Sequence, residues 1–220
     1  MRFDLVIFDL DGTLVDSVED LRQSVNHTML LVGFQPVSRA QLCDFVGDGA
    51  RILVTRCLAA TPGRGPLDEG LVDGAFRHFI AHYSAHLLDH TRLYPGVAET
   101  LPELARRSRL CVLSNKSEGF SRRTVEGLGV SQYFGKIFGG DSFPVRKPDP
   151  AGFVEIMRRL AAHPAGCLVV GDSRNDIAGG RAAGARTCGV LYGIKPLEVR
   201  PSGPDYVVDA FPNLLDIIEG

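Results

Sequence analysis

The chain of 220 residues has no tryptophan, three methionines and five cysteines. The cysteines, at 43, 57, 111, 167 and 188, are odd in number and contain no Cys-x-x-Cys pair. That argues against a disulfide framework and against a cysteine-based metal site. Cys111, Cys167 and Cys188 lie in or beside apolar runs and read as small core residues. No flanking residue marks any of the five as a reactive thiol. A reduced, cytoplasmic protein is the expectation. No apolar run approaches the roughly 18 residues of a membrane-crossing helix. Formal net charge is −2, so no surplus of one sign calls for nucleic acid or an anionic membrane as partner. Met1-Arg2-Phe3-Asp4 leads straight into a strand with no small-residue cleavage site, so no signal peptide is expected. Internal repeats and low-complexity segments are also lacking.

What is present is a globular composition, 45% hydrophobic and 23% charged, with length for one large domain or a core plus a smaller one. Leu5-Val6-Ile7-Phe8 has the length and residue types of a buried strand. A helix is predicted from Ser17 to Val32, where Val18, Leu21, Val25 and Met29 recur at three- and four-residue steps and Ser17 is a candidate N-cap. Ser38 can cap a short helix through Phe45. Gly47-Asp48-Gly49 interrupts, residues 51–60 are helical again, 61–66 form a loop, and a long helix follows over about 68–88. After Tyr94-Pro95-Gly96 helices and strands alternate. Helices 97–107, 118–127, 150–162 and 176–183 are interleaved with strands 110–113, 136–138, 167–170 and 186–190. A last strand, 206–208, precedes a terminal helix.

This alternation predicts an α/β fold, a Rossmann-like parallel sheet with helices on both faces. Residues 1–15 and 89–220 make up that core, and 16–88 form an inserted all-helical cap domain.

The chemistry gathers at strand ends. Asp9-Leu10-Asp11-Gly12-Thr13 places two carboxylates two residues apart, where side chains still point the same way. Close carboxylates repel unless a cation or shared proton lies between them, and Gly12 permits a turn that other residues resist. Ser114-Asn115 ends a second strand. Lys147 stands just before a helix start, with Pro148 fixing the backbone beside it. Gly171-Asp172-Ser173-Arg174-Asn175-Asp176 ends a third strand with two more acids. Ligands of open parallel sheets collect at the carboxyl ends of the strands, so these groups are expected to converge on one crevice.

Asp9-Leu-Asp-Gly-Thr-Leu-Val-Asp-Ser17, Ser114-Asn115, Lys147-Pro-Asp-Pro150 and Gly171-Asp-Ser-Arg-Asn-Asp176 resemble the four ordered motifs of the haloacid dehalogenase superfamily. The helical insertion after the first motif resembles the branch with a four-helix-type cap. Within that branch, Val46-Gly-Asp-Gly-Ala-Arg51, Leu93-Tyr-Pro-Gly-Val97, Ser114-Asn-Lys116 and Gly139-Gly-Asp141 look most like phosphoglycolate phosphatases. Leu191-Tyr-Gly-Ile-Lys195 departs from the aromatic-rich turn associated with the family.

The resemblance implies a Mg²⁺-dependent phosphatase that cleaves a small phosphorylated metabolite through an aspartyl phosphate, with 2-phosphoglycolate as the favoured substrate. Asp9 would be nucleophile and metal ligand. Asp11 would lend its backbone carbonyl to the metal and its side chain to proton transfer. Asp172 would complete the protein's share of an oxygen shell suited to Mg²⁺. Ser114 and Lys147 would hold the phosphoryl oxygens. Asp176 would orient Lys147 or a metal-bound water. Gly12 and Asn115 are candidate substrate contacts, as are Asp48, Gly49 and Arg51 of the cap loop. Arg51 would pair with a substrate carboxylate, and Lys116 is a rival anion partner on the core side. Neither nucleic acid nor membrane is an expected partner, and the protein would be a monomer or homodimer. The competing readings are a phosphatase for a sugar phosphate or pyrophosphate, a phosphomutase resembling β-phosphoglucomutase, and a non-catalytic phosphate-binding regulator. A dehalogenase would need neither the second acid at position 11 nor a metal. His78, His82, His86 and His90 recur every four residues along the long helix. Beside an apolar stripe of Phe76, Phe79, Ile80, Tyr83 and Leu87, they read as a polar flank rather than a metal site.

Overall fold

The computed structural model describes residues 3–61 and 66–219. Of the loop predicted over 61–66, residues 62–65 lie outside the described residues. The chain divides into two compact units, Met1–Asp16 with Arg92–Gly220, and Ser17–Thr91.

The first unit contains strands β1 (Leu5–Phe8) and β2 (Val15–Asp16). The second holds α1 (Val18–Leu31), α2 (Arg39–Phe45), α3 (Ala50–Ala59) and α4 (Glu69–Ala85). The chain then re-enters the first unit through β3 (Arg92–Leu93), α5 (Val97–Arg107), β4 (Arg109–Leu113), α6 (Glu118–Gly127) and β5 (Lys136–Phe138). There follow α7 (Ala151–Arg159), β6 (Cys167–Gly171), α8 (Arg174–Ala182), β7 (Arg186–Val190), α9 (Pro196–Val199), β8 (Tyr206–Val208) and α10 (Leu214–Glu219).

Six strands form one sheet in the order β5-β4-β1-β6-β7-β8, every neighbouring pair parallel. The chain starts in the middle, moves outward to β5, then returns to β6 and moves outward the other way. Strand order therefore reverses between β1 and β6, which makes the crevice beyond their carboxyl ends the topological switch point. β1 reads as an unbroken apolar run because both its faces are covered. Val6 and Phe8 join one buried cluster with Leu101, Leu104 and Phe211. Leu5 and Ile7 join another with Phe153, Ile156 and Met157. Each such side chain contributes about 1.5–3 kcal/mol on burial. The four thiols at 57, 111, 167 and 188 are buried as well. Burial pushes those of Cys57, Cys167 and Cys188 up to about 12, the opposite of an activated nucleophile.

In the helical unit Val18, Leu21, Val25 and Met29 are buried along α1, as their spacing predicts. Ser38 caps α2 in a reciprocal box with Gln41. Ser17 precedes α1 without a side-chain cap bond to it. The division between units falls at 16/17 and 91/92 rather than at 15/16 and 88/89. The Asp20 carboxylate explains this: it accepts from the His90 amide (2.9 Å), the Thr91 amide (2.8 Å) and the Thr91 hydroxyl (2.7 Å). Those bonds keep residues 90 and 91 with α1. Val15 and Asp16 pair instead with Leu93 and Arg92. Helix α4 ends three residues early, in a turn where His86 Nδ1 meets Asp89 Oδ2 at 2.7 Å. The histidine row is not a simple flank. The His82 ring lies 4.2 Å from that of His27 on α1 and 4.2 Å from that of His86, and its Nδ1 is 3.0 Å from Ser24 Oγ. No helix among the described residues is long and apolar enough to cross a membrane.

Candidate active site

β1 leads directly into the site. The Asp9 amide donates to Val170 O at 2.9 Å, extending the ladder one step beyond the strand. The chain then turns tightly, with Leu10 O accepting from the amides of Leu14 (2.9 Å) and Val15 (3.0 Å). Gly12 sits in that turn at φ +92°, and a Cβ there would stand 2.1 Å from Asp172 Oδ2. Only glycine combines this backbone with so close an approach. Its N–H already donates to Val15 O at 2.8 Å. Gly12, a candidate substrate contact from sequence, is packed closely against Asp172 with its N–H engaged by Val15.

Asp172 directly follows β6 and is 2% exposed. Its Oδ2 accepts from the backbone amides of Ile194 (2.7 Å) and Lys195 (3.1 Å). These come from the turn after β7 that departs from the family pattern. Gly193 makes the approach possible, since a Cβ there would lie 2.3 Å from Gly12 O and 2.4 Å from Asp172 Cβ. Burial, with Asp9 and Asp176 nearby, pushes the Asp172 carboxyl well above the usual range, and the two amides offset this only in part.

Lys147 is the hub. It is 6% exposed. Its Nζ donates to Asp176 Oδ1 at 2.6 Å and lies 2.8 Å from Asp9 Oδ1. The second contact is off the hydrogen-bond direction, which leaves this buried Asp9 oxygen without an aligned donor. Burial opposes the ammonium charge, but Asp176 and Asp9 outweigh it, and the Lys147 pKa is raised. Burial is also the largest influence on Asp9, carrying its carboxyl up to about 6 against the pull of Lys147. Asn115 clamps the Lys147 backbone on both sides: its Oδ1 accepts from Lys147 N and its Nδ2 donates to Lys147 O, each at 3.0 Å. Its amide therefore positions the lysine, where sequence suggested a substrate contact. Asp176 Oδ2 accepts from the Ser173 hydroxyl (2.7 Å) and amide (3.3 Å). This reciprocal turn starts α8 at Arg174, two residues earlier than predicted.

Ser114, at the end of β4, is buried and its amide donates to Phe138 O at 3.1 Å. Its Oγ accepts from the Lys116 amide at 3.3 Å. Lys116 Nζ meets Asp11 Oδ1 at 2.9 Å. Sequence reasoning weighed Lys116 only as an anion partner and missed this pairing.

Carboxylate oxygens of Asp9, Asp172 and Asp176 all lie within 4.8 Å of one another. An all-oxygen donor set suits a hard divalent cation, and the Asp9 oxygen without a donor is an acceptor such an ion could use. Asp176 is already engaged by Lys147 and Ser173, so Asp9 and Asp172 are the better-placed pair. Asp48, Gly49 and Arg51 belong to the helical unit, and the charges of Asp48 and Arg51 are engaged within it. Asp48 Oδ2 pairs with Arg56 Nη2 at 2.6 Å. Arg51 Nη1 pairs with Asp73 Oδ1 at 2.5 Å, its guanidinium 5.8 Å from the Phe76 ring centroid. Gly49 immediately precedes α3.

Similarity to known proteins runs along most of the chain. Residues 6–190 match the profile of the haloacid dehalogenase-like hydrolases. A phosphoglycolate phosphatase of Vibrio vulnificus is 39% identical over 219 residues, covering 97% of this chain and 95% of that one. One from Agrobacterium fabrum is 38% identical over 208 residues, covering 94% and 88%. The crystal structure of a predicted phosphoglycolate phosphatase from Haemophilus somnus superposes with a TM-score of 0.95 at 33% identity, over 99% of this chain and 98% of that one.

Proposed function

The chain belongs to the haloacid dehalogenase-like hydrolase family, and we propose that it hydrolyses a small phosphomonoester, 2-phosphoglycolate in the first place, through phosphorylation of Asp9. The observation that carries the reading is Asp9 itself. It stands at the switch point beside a charged, buried lysine, with one carboxylate oxygen lacking an aligned donor. The names of the relatives support the substrate.

An Asp9 oxygen attacks phosphorus, and the bond from phosphorus to the leaving oxygen breaks. Asp11 hands its proton to the departing alkoxide, then takes one from the water that attacks the aspartyl phosphate. The second displacement releases phosphate and restores the Asp9 carboxylate. Positioned proton transfer of this kind contributes about 10²–10⁴ in rate. Lys147 and the Ser114 hydroxyl hold the phosphoryl oxygens as charge spreads over them. Asn115 and Asp176 keep Lys147 in place from its backbone and its ammonium. Asp9, Asp172 and the Asp11 carbonyl would hold Mg²⁺, which when bound neutralises phosphoryl charge and so eases the approach of a carboxylate. Arg51 pairs with the substrate carboxylate, and Asp48 and Gly49 are further candidate substrate contacts.

A steady-state screen over phosphorylated metabolites, with and without Mg²⁺, tests the proposal. Metal-dependent turnover with 2-phosphoglycolate at the head of the panel is expected. Absence of turnover on every phosphomonoester would refute the enzyme reading, and a sugar phosphate at the head would refute the substrate.

A further inference from the structure

We propose that Lys116 is a positioning residue that holds the Asp11 carboxylate at the place where the leaving oxygen must be met. The inference rests on the proton-transfer role given to Asp11 above, and it gives Lys116 a part other than the anion partner that sequence suggested. Lys116 is fixed before its side chain is considered. Its amide donates to Ser114 Oγ at 3.3 Å, and its carbonyl accepts from the Gly140 amide at 2.8 Å. One turn therefore sets both the Ser114 hydroxyl and the origin of the lysine stem. From there the stem runs inward until the ammonium lies 2.9 Å from Asp11 Oδ1, with side chains only 7% and 15% exposed.

Asp11 is just as constrained along its backbone, because the Leu10 carbonyl and the Gly12 amide close the turn on either side of it. What the backbone leaves open is rotation of the carboxylate about its side-chain bonds. The ammonium restricts that rotation. A group that must lie within hydrogen-bond reach of the departing oxygen gains most from such restriction. A lysine reserved for a substrate carboxylate would have to leave this partly buried partner first.

The leaving group reads the difference. An alkyl phosphomonoester depends on protonation of its alkoxide, whereas a nitrophenyl phosphate departs as a stable anion. kcat/KM isolates the first displacement, before water enters. For Lys116→Met the expected loss in kcat/KM is about 10²-fold on alkyl phosphates, with or without a carboxylate, the scale of a misplaced catalytic group. On 4-nitrophenyl phosphate it should stay under about fivefold, since little proton transfer is needed there. In an Asp11→Asn background the same substitution should cost less than about twofold, because the two residues act as one unit. Lys116→Arg should restore most of the alkyl activity, and Lys116→Gln serves if the Met variant melts early.

Equal losses on alkyl and nitrophenyl esters would overturn the proposal, as would full additivity with Asp11→Asn. A loss confined to carboxylate-bearing substrates would also overturn it, and would mark Lys116 as a specificity residue. Failure of the wild-type protein to turn over any ester is a different result, which removes the phosphatase reading itself.

Discussion

The candidate site of the α/β unit and the 47–56 segment of the helical unit handle charge in opposite ways. At that site, charged groups are buried and share partners. Lys147 is held between Asp9 and Asp176, Asp172 takes two backbone amides, and Asp11 is met by Lys116. In the helical unit, apart from the buried Asp20 with its three donors, the pairs Arg51–Asp73 and Arg56–Asp48 around the 47–56 segment are half-exposed. Burial raises the cost of an unpaired charge by several kcal/mol, so the first network tolerates no missing member. Exposed pairs are each worth about 0–1 kcal/mol, so their members can exchange partners at little cost. Chemistry belongs where positions are fixed, and recognition can be carried by groups that are cheaply released.

The contrast breaks most severely at Asp9. Asp9→Asn should lower turnover by about 10⁴-fold or more, the scale of a lost nucleophile, while the circular dichroism spectrum and melting temperature stay at wild-type values or above. Activity near wild type would remove the nucleophile assignment. Lys147→Met comes next. It should cost about 10²–10³ in kcat through lost stabilisation of phosphoryl charge. It should also cost about 3–5 kcal/mol in urea unfolding, because Asp9 and Asp176 remain buried without their counter-charge. A variant as stable as wild type would show that the buried network is not cooperative.

On the helical side, Arg51→Ala should change stability by no more than about 1 kcal/mol. Its effect should instead appear in kcat/KM for 2-phosphoglycolate, about 10- to 10²-fold, the worth of a hydrogen bond to a charged group. A neutral alkyl phosphate should be spared, and equal losses on the two would reject carboxylate recognition by Arg51.

The smallest effect is expected at His82. Burial, with His27 and His86 beside it, lowers its pKa below the ordinary 6.5, and Asp89 opposes the shift. The folded state therefore binds this proton less readily than the unfolded chain does. The contribution to stability is complete above about pH 6.5 and is lost as pH falls below it. Thermal unfolding across that range should show a slope that His82→Gln flattens, and an unchanged slope would show that the stacked rings are not the source.

Most of the α/β unit was legible because its signals are local. A continuous apolar run marked β1, carboxylates stood at strand ends, and the alternation of helices and strands placed the sheet. Parallel topology then brought Asp9, Asp11, Ser114, Lys147 and Asp172 to one end. Partnerships between distant segments were harder to see. Nothing in the spacing of Ser114-Asn115-Lys116 says that the asparagine clamps Lys147 or that the lysine meets Asp11. Helical periodicity found the row at 78, 82, 86 and 90, yet it describes one helix at a time. His27, on α1, could not appear in it. The turn at 191–195 looked like a departure from a pattern of side chains, while what it gives Asp172 is two backbone amides and a glycine, which side-chain patterns do not record; its Tyr192 hydroxyl reaches Thr13 O as well.

The central claim is that Asp9, not water, makes the first attack on phosphorus. The stereochemical course of hydrolysis tests it most directly, using an alkyl phosphate whose phosphoryl group is made chiral with oxygen isotopes. Two successive in-line displacements, the first by Asp9, predict net retention at phosphorus. Net inversion would mean a single direct attack by water and would contradict the account.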